Sequence, residues 1–168
     1  MDAPLILTLA LNTEAETFFD ALRKQHFPPE RNFLKAHLTL FHHLPPHEPQ
    51  IRHDIETLCA TQQIISLPVT QVVSIGRGVA YKIESTALQQ LHKHFQERWQ
   101  PWLIPQDKQK LWPHITVQNK VAPQLAQELQ QQLSTAFKPF TIQGTGLRLW
   151  NYLGGGPWEL VQSFLFKD

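Results

Sequence analysis

Two stretches of this chain read alike. Residues 37–46 are HLTLFHHLPP and residues 114–123 are HITVQNKVAP. Both fit one frame: His, Leu or Ile, Thr, Leu or Val, three free positions, Leu or Val, one free position, Pro. They stand almost half the chain apart. Each begins with the alternation of a half-buried strand, and each runs through proline into a helical pattern. Two copies of one strand–proline–helix unit imply two related lobes facing each other.

On a strand, successive side chains point to opposite faces. His37 and Thr39 therefore share one face, with Leu38 and Leu40 behind them. His114 and Thr116 repeat this, with Ile115 and Val117 behind. Each lobe offers one imidazole beside one hydroxyl. Two such pairs across a cleft suit phosphodiester chemistry. One His takes a proton from the attacking water or hydroxyl and the other protonates the leaving oxygen, roles fitted to a group with an ordinary pKa of about 6.5. The Thr hydroxyls can donate to the non-bridging phosphate oxygens, where charge builds. None of this needs a metal. The same alternation puts Phe41 and His43 on the face of His37, and Gln118 and Lys120 on the face of His114. Phe41 is then placed to stack on a base, and Lys120 to meet a phosphate as a point charge.

The rest of the chain fills in around the motifs. Residues 4–11 read as a buried strand. Thr13 and Glu16 form a capping-box pattern ahead of a helix that stops near Pro28-Pro29. A second helix shows Ile51, Ile55, Leu58 and Cys59 on one face, with Cys59 a small core residue. Residues 64–75 and 79–84 read as strands joined by a turn at Gly76-Arg77-Gly78, where Arg77 is a candidate anion contact. Thr86 and Gln89 form another capping-box pattern and open a third helix, on which His92 and His94 read as surface residues. Residues 100–113, with three prolines, read as loop. Leu125, Leu129 and Leu133 stripe a fourth helix. Two strands, about 140–152 and 158–166, close the chain. Arg148, Trp150 and Tyr152 alternate on the first of these and are placed to line a cleft wall.

Composition bounds the function. The chain has 168 residues, 42% of them hydrophobic, with ten Phe and five Trp. That is the size of about one domain and enough apolar content for a core. We read residues 1–168 as a single bilobal α+β unit. No run reaches the roughly 18 apolar residues of a membrane span, so no membrane partner is expected. A single Cys excludes a disulfide framework and fits an intracellular, cytoplasmic protein. Net charge is +1, so a nucleic-acid substrate must be held locally. The His-rich run 37–47 is not read as a metal site: His42 and His43 point to opposite faces on a continuing strand, and His47 follows a double proline.

The paired His-x-Thr motifs resemble those of the 2H phosphoesterase superfamily, which includes the bacterial 2′-5′ RNA ligase-like proteins and the RNA 2′,3′-cyclic phosphodiesterases. The resemblance covers essentially the whole chain in element order. It implies two pseudo-symmetric lobes, each an antiparallel sheet flanked by helices, with a central cleft. It implies metal-independent and cofactor-free chemistry on 2′,3′-cyclic or 2′-5′ phosphodiester bonds, with an RNA 3′ end or a small nucleotide as partner and the protein a monomer. By motif position, His37 and His114 take the acid and base roles, and Thr39 and Thr116 bind phosphate. Some members carry Arg five residues after the second motif His; here that place is Asn119, followed by Lys120. Two further readings use the same cleft: a module that binds an RNA end without turning it over, and a 2′-5′ ligase running the chemistry in reverse.

Overall fold

The computed structural model describes residues 2–168. The elements are β1 (Leu5–Leu11), α1 (Thr13–His26), β2 (Leu38–Leu44), α2 (Pro49–Thr61), β3 (Ile65–Ser74), β4 (Val79–Ile83), α3 (Thr86–Trp99), β5 (His114–Gln118), α4 (Pro123–Ala136), β6 (Phe140–Asn151) and β7 (Glu159–Leu165). The chain thus runs β-α-β-α-β twice, and β7 follows as an addition. This is the α+β architecture that the repeated motif implies.

All seven strands join one antiparallel sheet, in the order β2-β1-β6-β3-β4-β5, with β7 paired to β6. The strand that links the two halves is β6. Its Gly144 has Leu11 opposite on one edge and Ile65 opposite on the other. Residues before Gly144 pair with β3, and residues after it pair with β1 and β7. A side chain is not tolerated where β7 comes close: a Cβ on Gly146 would lie 2.2 Å from the carbonyl oxygen of Phe164. The first half therefore gives its last strand, β3, to β4 of the second half. The second half gives β6 to β1 of the first.

The helices cross over in the same way. α1 packs on β5, while α3 packs under β2 through Phe41, Phe95 and Trp99. α1 buries Ala15, Phe19 and Arg23 at four-residue spacing, one stripe of a 3.6-residue helix. Glu14 and Glu16 in its first turn, and Arg23, Lys24 and His26 in its last, suit the helix dipole. The expected capping boxes do not form. Asn12 is the N-cap of α1, and Glu16 pairs with Arg148 instead. For α3 the cap is Ser85, one residue before Thr86, and its Oγ accepts from the Leu88 N–H at 3.1 Å. On α4, Ala126 and Leu129 are buried while Leu125 is exposed. His92, expected at the surface, is buried: its Nε2–H donates to the Leu40 carbonyl at 2.9 Å, and its ring stacks on Phe41. Among the described residues no helix is long and apolar enough to cross a membrane.

β2 and β5 are the two ends of the strand order, and they still lie in contact. The sheet curls until its edges meet. Those two edge strands carry the His-x-Thr motifs.

Candidate active site

The motif strands share a local irregularity. Thr39 is opposite Thr8 on β1, but the next pair is Phe41 with Leu7, so Leu40 is an extra residue. Thr116 is opposite Ala80 on β4, but the next pair is Gln118 with Val79, so Val117 is extra. Each motif is followed by a β-bulge at its fourth residue. A bulge places two residues opposite one and resets the alternation downstream. Up to the bulge the sequence parity holds: His37, Thr39, His114 and Thr116 are all partly exposed, while Leu38 and Ile115 are buried.

Both imidazoles are held alike. His37 donates Nδ1–H to the Lys35 carbonyl at 2.8 Å, and His114 donates Nδ1–H to the Trp112 carbonyl at 2.8 Å. A carbonyl can only accept, so each ring carries its proton on Nδ1 and presents a free Nε2. Burial pushes the His37 pKa down to about 4; its carbonyl bond opposes this, and the charges of Arg23, His114 and His42 add to it. His114 is lowered as well, first by burial and then by the charge of His42. Both rings are therefore neutral at neutral pH, the form a general base needs. An incoming phosphate anion favours protonation of one of them, the form a general acid needs.

Each motif His also lies against a tryptophan. Trp158 is 4.8 Å from His37 between ring centres, and Trp112 is 4.3 Å from His114. Beside His37 opens a cleft of about 460 Å³ lined by Phe33, Lys35, Arg148, Trp150, Trp158 and Leu160, among others. Trp150 is fixed in its wall by donating Nε1–H to Thr8 Oγ1 at 2.9 Å. Arg148 is paired with Glu16 at 2.8 Å. Aromatic walls around a volume of this size suit a nucleobase, and the motif His at its mouth suits a phosphate.

The secondary candidates divide. Phe41 is fully buried, stacked on His92 and packed against Phe95 and Trp99. It is a core residue and cannot stack on a base, because the bulge at Leu40 turns it inward. Gln118 is turned inward by the matching bulge; it is 7% exposed, and its Oε1 is buried without a partner. His43 is exposed, and its backbone N–H bonds to Asp107. Lys120 lies past the end of β5, exposed, at φ 63°. Arg77 sits in the β3–β4 turn, where its Nε–H donates to the Val121 carbonyl at 3.2 Å, so it braces the chain after β5. Tyr152 lies beyond the end of β6 and does not line the cleft beside His37, unlike Arg148 and Trp150. Sequence reading misses Trp112 and Trp158. Trp112 stands two residues before a motif His, a signal the sequence does carry. Trp158 comes from the far side of a glycine turn, which no local pattern reveals.

Two facing His-x-Thr strands on the edges of a curled antiparallel sheet define a two-histidine phosphoesterase fold. The model of the 2′-5′ RNA ligase superfamily matches residues 11–156, and the chain belongs to that family. Among solved structures, TT0787 of Thermus thermophilus shares 16% identity over 97% of each chain with a TM-score of 0.68. A phosphoesterase shares 17% over the full length of both chains at 0.64. LigT of E. coli, complexed with 3′-AMP, shares 16% over the full length of both at 0.60. At these identities the likeness is one of fold. No curated protein matches the chain by sequence.

Proposed function

We propose that this protein is a metal-independent phosphodiesterase of 2′,3′-cyclic or 2′-5′ phosphodiester bonds, acting as one bilobal monomeric unit in the cytoplasm on RNA 3′ ends or small nucleotides. The observation that carries the reading is the matched pair His37 and His114: two neutral imidazoles on facing strands, each with Nδ1–H tied back and Nε2 free. For a 2′,3′-cyclic phosphate, a water oxygen attacks phosphorus as one Nε2 takes its proton. The bond from phosphorus to one ribose oxygen breaks, and the other imidazole, protonated at Nε2 once the phosphate anion is bound, gives that proton to the leaving oxygen. The product is a nucleoside monophosphate and the protons balance. In this reading Thr39 and Thr116 donate to the non-bridging oxygens. The LigT structures with 3′-AMP, NADP+ and ATP support a nucleotide-sized ligand for a cleft of this kind.

The test is incubation of the protein, with EDTA present, with nucleoside 2′,3′-cyclic monophosphates, a short RNA ending in a 2′,3′-cyclic phosphate, and a 2′-5′ linked dinucleotide. His37→Ala and His114→Ala run alongside. Each substitution is expected to lower kcat by about 10²–10⁴-fold or more. Full turnover by both variants would end this reading. Intact ligand recovered from a stable complex would instead leave a nucleotide-binding module.

A further inference from the structure

β2 carries a third imidazole to the same ground. Beyond the bulge at Leu40, Phe41 faces the core and His42 is on the surface. His42 stands three residues past Thr39 on the strand of the first motif, and that strand touches β5, the strand of the second. His42 is also, through its charge, a minor cause lowering both motif histidines. It is held from behind. Its Nδ1–H donates to Asp107 Oδ1 at 3.1 Å, and its side chain is otherwise 45% exposed, leaving Nε2 for another partner. Asp107 is 2% exposed and sits in the short turn 105–108 that precedes β5. Its two oxygens also accept the backbone N–H of His42 at 2.9 and 3.0 Å and that of His43 at 3.0 Å. A buried carboxylate spent on one strand end and one imidazole is a costly arrangement for a surface ring with no task.

The arginines around the motifs are otherwise engaged, while Lys35 and Lys120 have, among the described residues, no side-chain hydrogen bond to hold them in place. Arg23 donates to Thr116, Asn32 and Leu34, Arg77 to Val121, and Arg148 to Glu16. The position equivalent to His42 after the second bulge is Asn119, whose Oδ1 accepts from the Lys120 N–H. A phosphodiester between the two lobes carries charge, and His42 is the side chain held ready for it on a buried carboxylate. We propose that His42, anchored on Asp107, is the cationic phosphate contact of this site, its Nε2–H donating to a non-bridging oxygen of the bond between His37 and His114. The assignment rests on the reading of the cleft as a phosphodiester site. With Nδ1–H committed to the Asp107 carboxylate, Nε2–H is the donor left for a phosphate oxygen, and both bonds are charge-assisted. Asp107 is then a positioning residue.

The test separates this contact from turnover. Inorganic phosphate is titrated into the full chain and followed by NMR. His42→Gln is expected to weaken binding by about ten- to hundredfold, the span for loss of a charge-assisted hydrogen bond. His42→Arg should restore it to within a few-fold of wild type. Asp107→Asn should weaken it too, and the double variant should be no weaker than His42→Gln alone. kcat/KM on a cyclic substrate should follow the same order, with melting temperatures checking that each variant is folded. Unchanged phosphate affinity in His42→Gln would overturn the proposal. So would an Arg variant as weak as the Gln variant, because the ring would then act by packing and not by charge. Absence of any turnover by wild type, with phosphate binding still lost in His42→Gln, would overturn the phosphodiesterase reading and support this contact.

Discussion

The guanidinium of Arg23, on the first helix, donates to the backbone carbonyl of Thr116, in the second motif, at 3.0 Å. The same side chain reaches Asn32 Oδ1 at 3.1 Å and the Leu34 carbonyl at 3.2 Å, and it lies over the Phe27 ring at 4.1 Å. One buried cation thus ties α1, the segment leading to His37, and the strand that bears His114. Replacing it with Met keeps the aliphatic packing and strands three acceptors. Arg23→Met should lower stability by about 2–4 kcal/mol, read as a shifted denaturation midpoint at constant slope. An unmoved midpoint would show that the tether carries no stability.

Acid should weaken the fold through its histidines. Burial is the main cause lowering the pKa of His37, His92 and His114, so each stays neutral in the native state at pH values where it would charge in the unfolded chain. Below pH 6.5 the unfolded chain binds more protons, and stability falls. The contribution is complete above pH 6.5 and is lost from there down to about pH 4, where native His37 protonates. Melting temperature should be level between pH 7 and 8 and decline from pH 6.5 to 4, less steeply in His92→Gln. A level profile over that lower range would contradict the neutral assignment.

The tautomers of the motif histidines can be observed directly. Nitrogen-15 NMR at pH 7 should show both rings protonated at Nδ1 and bare at Nε2, the state the Lys35 and Trp112 carbonyls impose. A proton on Nε2 of either ring would remove it as a base toward the cleft.

Phe41 distinguishes a core role from a substrate role. Phe41→Ala should cost about 3–5 kcal/mol of stability, as for other buried aromatics. Binding of nucleotide to the fraction that remains folded should be unchanged. Loss of affinity with little loss of stability would return Phe41 to the cleft.

Trp158 should behave in the opposite way. Its ring borders both His37 and the cleft beside it. Trp158→Ala is expected to raise KM for a nucleotide substrate by about 5–150-fold, equivalent to about 1–3 kcal/mol of base stacking, with a small effect on stability. Equal KM values for the variant and the wild type would show that the base lies elsewhere.

The motif strands are legible in the sequence because each repeats a polar–apolar alternation with few alternatives. Element order follows from the prolines and the helical stripes. The alternation serves only as far as the first four motif residues. Counting onward through a bulge misplaces Phe41 and Gln118, and a bulge at Leu40 or Val117 is fixed by the register of β1 or β4, which lies outside the local sequence. The same miscount hides His42. The burial of His92 is out of reach because it depends on β2, from the other half of the chain, lying across α3. The side chains beside His37 come from β1, α1, β6 and the segment after it, and only the three-dimensional sheet brings them together.

The exchange of β3 and β6 between the halves has a consequence for how such a chain can be divided. Neither β-α-β-α-β half owns the strand that completes its own layer, so neither would be self-sufficient if cut free between β3 and β4. A lone half could close its sheet only by trading that strand with a second copy of itself. The result would be a two-fold dimer with one His-x-Thr motif from each copy across the axis. The present molecule has the geometry of such a dimer written on one polypeptide. On one polypeptide the two halves need not match: one carries an Asp-backed His42 where the other has Asn119, and a two-fold cleft acquires a direction.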